Sequence, residues 1–89
     1  MDTINELKLE LMALQLKDTE NALNNGFNNK EDWFKYIINS NNDEIAQATL
    51  DLSQRYNVNE NILAIHFDPT MLLRINKIKN RKNILKITK

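Results

Sequence analysis

The chain has 89 residues, 42% of them hydrophobic and 27% charged, with one glycine, one proline and no cysteine. These values fit one small folded domain and exclude wholesale disorder, a disulfide framework and any thiolate metal site or cysteine nucleophile. The formal net charge of zero hides an asymmetry: residues 1–68 hold all twelve acids and five bases, a balance of −7, whereas residues 69–89 hold seven bases and no acid.

So few glycines and prolines leave little material for tight β-turns and favour helices joined by asparagine-rich connections. The predicted class is all-α, a small bundle of four to five short helices with a basic amphipathic C-terminal helix or tail. Residues 1–68 read as an acidic helical core, and residues 69–89 as a basic helix or tail packed on it or extending from it. The N-terminus lacks the regions of a signal peptide, and no stretch approaches the roughly 18 apolar residues of a membrane span. A cytoplasmic protein without membrane association is therefore expected. Asparagine at fifteen positions, with abundant Ile and Lys, resembles the usage of AT-rich genomes and of their phages and plasmids.

Thr3-Ile4-Asn5-Glu6 has the spacing of a capping box, and the strong helix formers from Leu7 to Leu23 end at Asn24-Asn25-Gly26, a C-terminal stop signal. A helix is predicted over 4–24. At about 100° per residue, Ile4, Leu7, Leu11 and Leu14 make one apolar stripe, while Leu9, Met12, Leu16 and Leu23 make a second on nearly the opposite side. Two stripes call for two partners. Either this helix threads the middle of a bundle, or Leu9, Met12 and Leu16 face a second molecule.

Asn28 or Asn29 can cap a second helix over 30–39, with Glu31 and Asp32 near the positive end of its dipole and Trp33 as a core anchor. Ser40-Asn41-Asn42 breaks it and caps a third helix over 43–56, whose apolar face is Ile45, Ala48, Thr49, Leu52 and Tyr56; small Ala46 and Ala48 permit close approach of a neighbour. Asn57-Val58-Asn59-Glu60 repeats the capping-box spacing before a short apolar segment ending at His66-Phe67, in which His66 reads as a packing residue. Asp68-Pro69 is an N-cap followed by proline at the first helical position. The helix it starts is predicted to run to about residue 82, with Met71, Ile75, Ile78 and Leu85 on one side and Arg74, Lys77 and Arg81 as an adjacent basic stripe. The last residues, 83–89, alternate weakly and read as a frayed end or a strand.

Patterns that carry catalysis are missing from the sequence: there is no Gly-rich phosphate loop, no histidine pair at metal spacing and no convergent Ser, His and acid set, the only serines being Ser40 and Ser53. The expected protein is a non-enzyme without cofactor, metal or small-molecule substrate. The leading reading is a small regulator or inhibitor that works by protein–protein binding, of a kind encoded by phages or plasmids and directed at a host or defence protein, with a homodimer through the first helix as a further form. An acidic body that imitates phosphate, through Glu6, Glu10, Asp18, Glu20, Glu31, Asp32, Asp43 and Glu44, is one way to inhibit a nucleic-acid enzyme. The alternative is a DNA- or RNA-binding regulator contacting phosphates, or an acidic partner, through Arg74, Lys77, Arg81 and Lys82. A helix-turn-helix over 43–67 is a poor reader of base edges, because its second helix is almost wholly apolar.

Overall fold

The described residues form five helices: α1 (Thr3–Asn24), α2 (Lys30–Ile37), α3 (Glu44–Arg55), α4 (Glu60–Phe67) and α5 (Met71–Ile87). The computed structural model describes residues 3–87 and the side chains of residues 3–81, and no strand occurs among the described residues. The helical backbone thus continues through 83–87, where a frayed end or strand was expected.

Local hydrogen bonding sets most of the boundaries. At the end of α1, Phe27 N–H donates to Ala22 O at 2.9 Å and Gly26 N–H to Leu23 O at 3.0 Å. With Gly26 at φ 87°, this is a Schellman motif, in which glycine takes the left-handed position without a Cβ penalty. Phe27 closes it by packing on Ala22, together with Trp33 and Ile37 of α2. Asn29 caps α2, its side chain accepting from Asp32 N–H at 2.8 Å.

Three boundaries differ from the sequence reading, one of them at Pro69, which was expected at the first helical position but lies in the turn before α5. Asp43, expected inside the first turn of α3, is its N-cap and accepts from Ala46 N–H at 3.1 Å. Asn57, expected to open the next helix, instead closes α3 in the left-handed conformation at φ 55°, with Val58 N–H donating to Ser53 O at 2.9 Å. Asn is the residue after Gly that best tolerates this position, so it serves equally well as a stop or a start. The start of α4 falls to Asn59, which accepts from Asn61 N–H at 2.8 Å. Asp68 caps the turn before α5 by accepting from both the N–H and the hydroxyl of Thr70, each at 2.8 Å.

α3 is the central element, with α1, α4 and α5 all packed on it, and α4 also touching α5 and α1. That position explains why its buried surface is wider than one stripe: Ile45, Ala46, Thr49, Leu50, Leu52 and Ser53 are all buried. Ala46 and Ala64 are wholly enclosed, as close approach of neighbouring helices requires. The two buried hydroxyls stay satisfied within α3, Thr49 donating to Ile45 O at 2.8 Å and Ser53 to Leu50 O at 2.6 Å. Leu11 of α1, Leu63 and Phe67 of α4, and Met71 and Ile75 of α5 complete the main core.

Ile75 is fully buried and packed on several helices, whereas Ile65 of α4 is 62% exposed. Ile75→Ala is expected to cost about 2–5 kcal/mol through lost transfer energy and a cavity, and Ile65→Ala no more than about 0.5 kcal/mol. Urea unfolding followed by circular dichroism measures both, and equal effects would contradict the assigned core.

Candidate functional site

α1 divides cleanly between the two stripes. Leu11 is buried and Leu7 and Leu14 are half-buried against the main core, although Ile4, at the open end of the same stripe, remains exposed. The second stripe is exposed along its whole length: Leu9 66%, Met12 56%, Leu16 68% and Leu23 59%. Single exposed leucines are ordinary, but four large apolar side chains aligned along one helix form a patch of the kind that marks binding surfaces. Leu9, Met12 and Leu16 are thus brought together on one outward face, and Leu23 extends it. α4 adds exposed Ile62 and Ile65, and α5 adds Leu73, none of which sequence reasoning singled out. A half-buried α4 is hard to see from sequence because apolar residues lie all around it.

The basic segment has a different fate. Arg74, expected on an outward stripe, is only 2% exposed. Its Nε and Nη2 donate to Asp43 Oδ2 and Oδ1, both at 2.8 Å. Its Nη1 and Nη2 donate to Asp18 Oδ2 and Oδ1 at 3.1 and 3.0 Å. Trp33 of α2 adds a donor to Asp18 Oδ1 at 3.0 Å. Two forked carboxylates, one from α1 and one from the α3 cap, therefore match the planar fork of one guanidinium on α5. Burial works against its charge, but the hydrogen bonds it donates to Asp43 and Asp18, and their negative charge, outweigh it and raise the pKa, keeping the arginine protonated. The helical wheel permits the inward placement without dictating it: Arg74 lies three residues after Met71 and next to Ile75, at the margin of the apolar face.

Two of the other bases named from the sequence, Lys77 and Arg81, are also engaged with the chain itself. Lys77 donates to Ile38 O and, at 3.4 Å, to Ser40 O. Arg81 donates to Asn41 O at 3.1 Å. The Lys82 side chain lies outside the described residues. Lys79 Nζ sits 3.0 Å from Glu60 Oε2. Lys77 and Arg81 reach backbone oxygens of the connection between α2 and α3, satisfying carbonyls that no helix uses. The acidic face is depleted in the same way. Asp18 and Asp43 are taken up by Arg74, and Glu10 is held by Tyr56 and Arg55.

The Tyr56 hydroxyl lowers the Glu10 pKa, burial opposes the shift and Arg55 reinforces it; the same hydrogen bond raises the Tyr56 phenol. Burial disfavours the Asp68 carboxylate, but the N–H and hydroxyl of Thr70 and the nearby Lys30 outweigh it and leave the group below its ordinary value. His66, expected to be a packing residue, is exposed on α4. Its backbone carbonyl, with that of Phe67, accepts from Gln15 Nε2 at 3.3 and 3.0 Å, which ties α4 to α1. Among the described residues no group of three or more His, Cys, Asp or Glu could hold a metal ion, and no helix is long and apolar enough to cross a membrane. An open groove of about 440 Å³ between the start of α3 and α5 has both polar and apolar side chains in its walls, among them Glu44, Gln47, Ala48, Asp51, Ile78 and Arg81.

Two outcomes follow from these pairings. Arg74→Ala strands two nearly buried carboxylates and is expected to cost about 3–5 kcal/mol, with Arg74→Lys failing to restore stability because an ammonium cannot bridge two forks. Unfolding midpoints in urea measure both. For the acid limb, Glu10 and Asp68 have folded pKa values below their unfolded ones, so their contribution is present above about pH 4 and is lost as the pH falls through the folded values. Stability is expected to decline with acid in that range, and the Glu10→Gln variant to decline less steeply.

Compared with protein-family models, curated proteins and solved structures, the chain matches none of them.

Proposed function

We propose that this protein is a small non-enzymatic regulator or inhibitor that acts by binding another protein through the outward face of α1. The observation that carries this reading is the continuous exposure of Leu9, Met12, Leu16 and Leu23 on a helix whose opposite side is anchored in the core. Apolar anchors presented on a rigid element are what hot-spot recognition needs, since the helix loses little conformational entropy on docking. The residue usage, shared with AT-rich genomes and their mobile elements, bears on origin alone and suits a phage- or plasmid-encoded protein; on this reading its target is a host or defence protein.

Phosphate recognition through Arg74, Lys77, Arg81 and Lys82 is less well supported. A cation that contacts a nucleic-acid backbone must be free to replace condensed counterions. Arg74 is instead enclosed between Asp18 and Asp43, and Lys77 and Arg81 bond the α2–α3 connection. Imitation of nucleic acid by the acidic body is weakened on the same ground.

The test compares wild type with a Leu9→Glu/Leu16→Glu variant in affinity capture of bound proteins, alongside fluorescence anisotropy of labelled DNA and RNA. The variant is expected to keep its helical circular dichroism and melting temperature within a few degrees while losing specific protein capture by tenfold or more, and neither protein is expected to bind nucleic acid at near-physiological salt. Equal capture by the two proteins, or tight salt-sensitive nucleic-acid binding by both, would overturn the proposal.

A further inference from the structure

Resting on the reading that the outward face of α1 is a protein-binding surface, we infer that one occupant of that face is α1 of a second copy, aligned parallel and in register. Leu9, Leu16 and Leu23 recur every seven residues, with Met12 between the first two. Together with Asn5 and Thr19 they alternate in steps of three and four, which places Leu9, Leu16 and Leu23 at the a positions of a heptad and Asn5, Met12 and Thr19 at the d positions. This seam lies opposite the stripe of Leu7, Leu11 and Leu14, so the cores of two chains joined through it stand on opposite sides of the paired helices.

The pattern is self-complementary in one alignment. In a parallel, in-register pair each a-position leucine meets its own counterpart, Met12 meets Met12, and the polar positions Asn5 and Thr19 meet each other's copies. A buried Asn pair can satisfy its own amides, and matching Asn5 to Asn5 and Thr19 to Thr19 favours the in-register alignment over one that sets either against a leucine. Thr19 carries no unmet donor into the seam, because its hydroxyl already donates to Gln15 O at 3.2 Å. An antiparallel overlap of the whole helix would set Asn5 against a leucine at each end. It would also bring Glu6 beside the partner's Glu20 twice, whereas the parallel pair places Lys8 near the partner's Ala13 and Gln15 near the partner's Glu20, with no like charges.

The size of the patch sets the strength. Four side chains of this kind present on the order of 400 Å² of apolar surface per chain, so the seam with its flanking stems buries about 1,000 Å², near the lower limit for a specific interface. The expected dimer is therefore a weak one, populated at high protein concentration and exchanging with monomer.

Sedimentation equilibrium of the wild-type chain across a hundredfold concentration range tests this, and Leu16→Lys supplies the control. The wild type is expected to pass from monomer to dimer, and the variant to remain monomeric with unchanged circular dichroism. Because the chain has no cysteine of its own, single substitutions report the alignment: Leu9→Cys and Leu23→Cys should each form a disulfide-linked homodimer on mild oxidation, since a parallel seam brings like positions within the about 4–7 Å Cα separation that a disulfide needs. A wild type that stays monomeric throughout would overturn the second copy as occupant and leave the broader protein-binding reading to the capture experiment. A dimer in which Leu9→Cys cross-links only to Thr19→Cys, and not to itself, would overturn the parallel alignment.

Discussion

The guanidinium of Arg74, clamped between Asp18 and Asp43, is the constraint on which the arrangement of the helices rests. Its four hydrogen bonds reach one carboxylate in the C-terminal half of α1 and another that is at the same moment the N-cap of α3. Trp33 brings α2 into the same cluster through Asp18. Apolar contacts are tolerant of small slides, but forked hydrogen bonds are not, and a buried charge left without its partner is costly. The cluster therefore specifies how α5 is set along α1 and α3 more sharply than the hydrophobic core does. Buried ion pairs are weak sources of net stability, and specificity of this kind is the contribution for which they are best attested.

The same constraint changes the meaning of the charge asymmetry. A segment with seven bases and no acid, following a body with a balance of −7, reads as a free cationic tail when charges are merely counted along the chain. In three dimensions the two halves answer one another: Arg74 to the acids of α1 and the α3 cap, Lys79 to Glu60, and Lys77 and Arg81 to carbonyls beyond α2. Among the described residues of this segment, two of the four bases meet acids and the other two meet backbone oxygens, so the charge these four leave free to steer a distant polyanion is reduced.

How much of this is legible in the sequence depends on the range of the interaction. The five helices are, because their signals are local: the Gly26 stop, the Asn29 cap and the helix formers of α1 each act within a few residues. The ambiguous boundaries, Asp43 and Asn57, involve residues that serve two roles at similar cost, so neighbours decide between them. Arg74 is not legible, since its partners lie 56 and 31 residues away and a basic residue beside an apolar stripe has the same local pattern whether it turns in or out. The two stripes of α1 are intermediate. Their spacing is plain, but which one faces inward is settled by Asp18 and Ala22, which share the side of Leu11 and meet Arg74 and the aromatic cluster of α2.

That inner anchoring bears directly on what the outer face can do. A helix of 22 residues standing alone in water is only marginally stable, and exposed leucines on a fraying helix favour loose aggregation rather than a defined contact. Here the C-terminal half of α1 is held by Asp18, by the Schellman closure onto Phe27 and by Gln15 bonding to the end of α4, while Glu10 pins the N-terminal half to Arg55 and Tyr56. Polar ties on the inner side and flanks thus hold Leu9, Met12, Leu16 and Leu23 in a fixed row. The ordering entropy that a docking helix would otherwise lose is already spent on folding, so the affinity of this small apolar surface depends on contact quality and register rather than on induced structure.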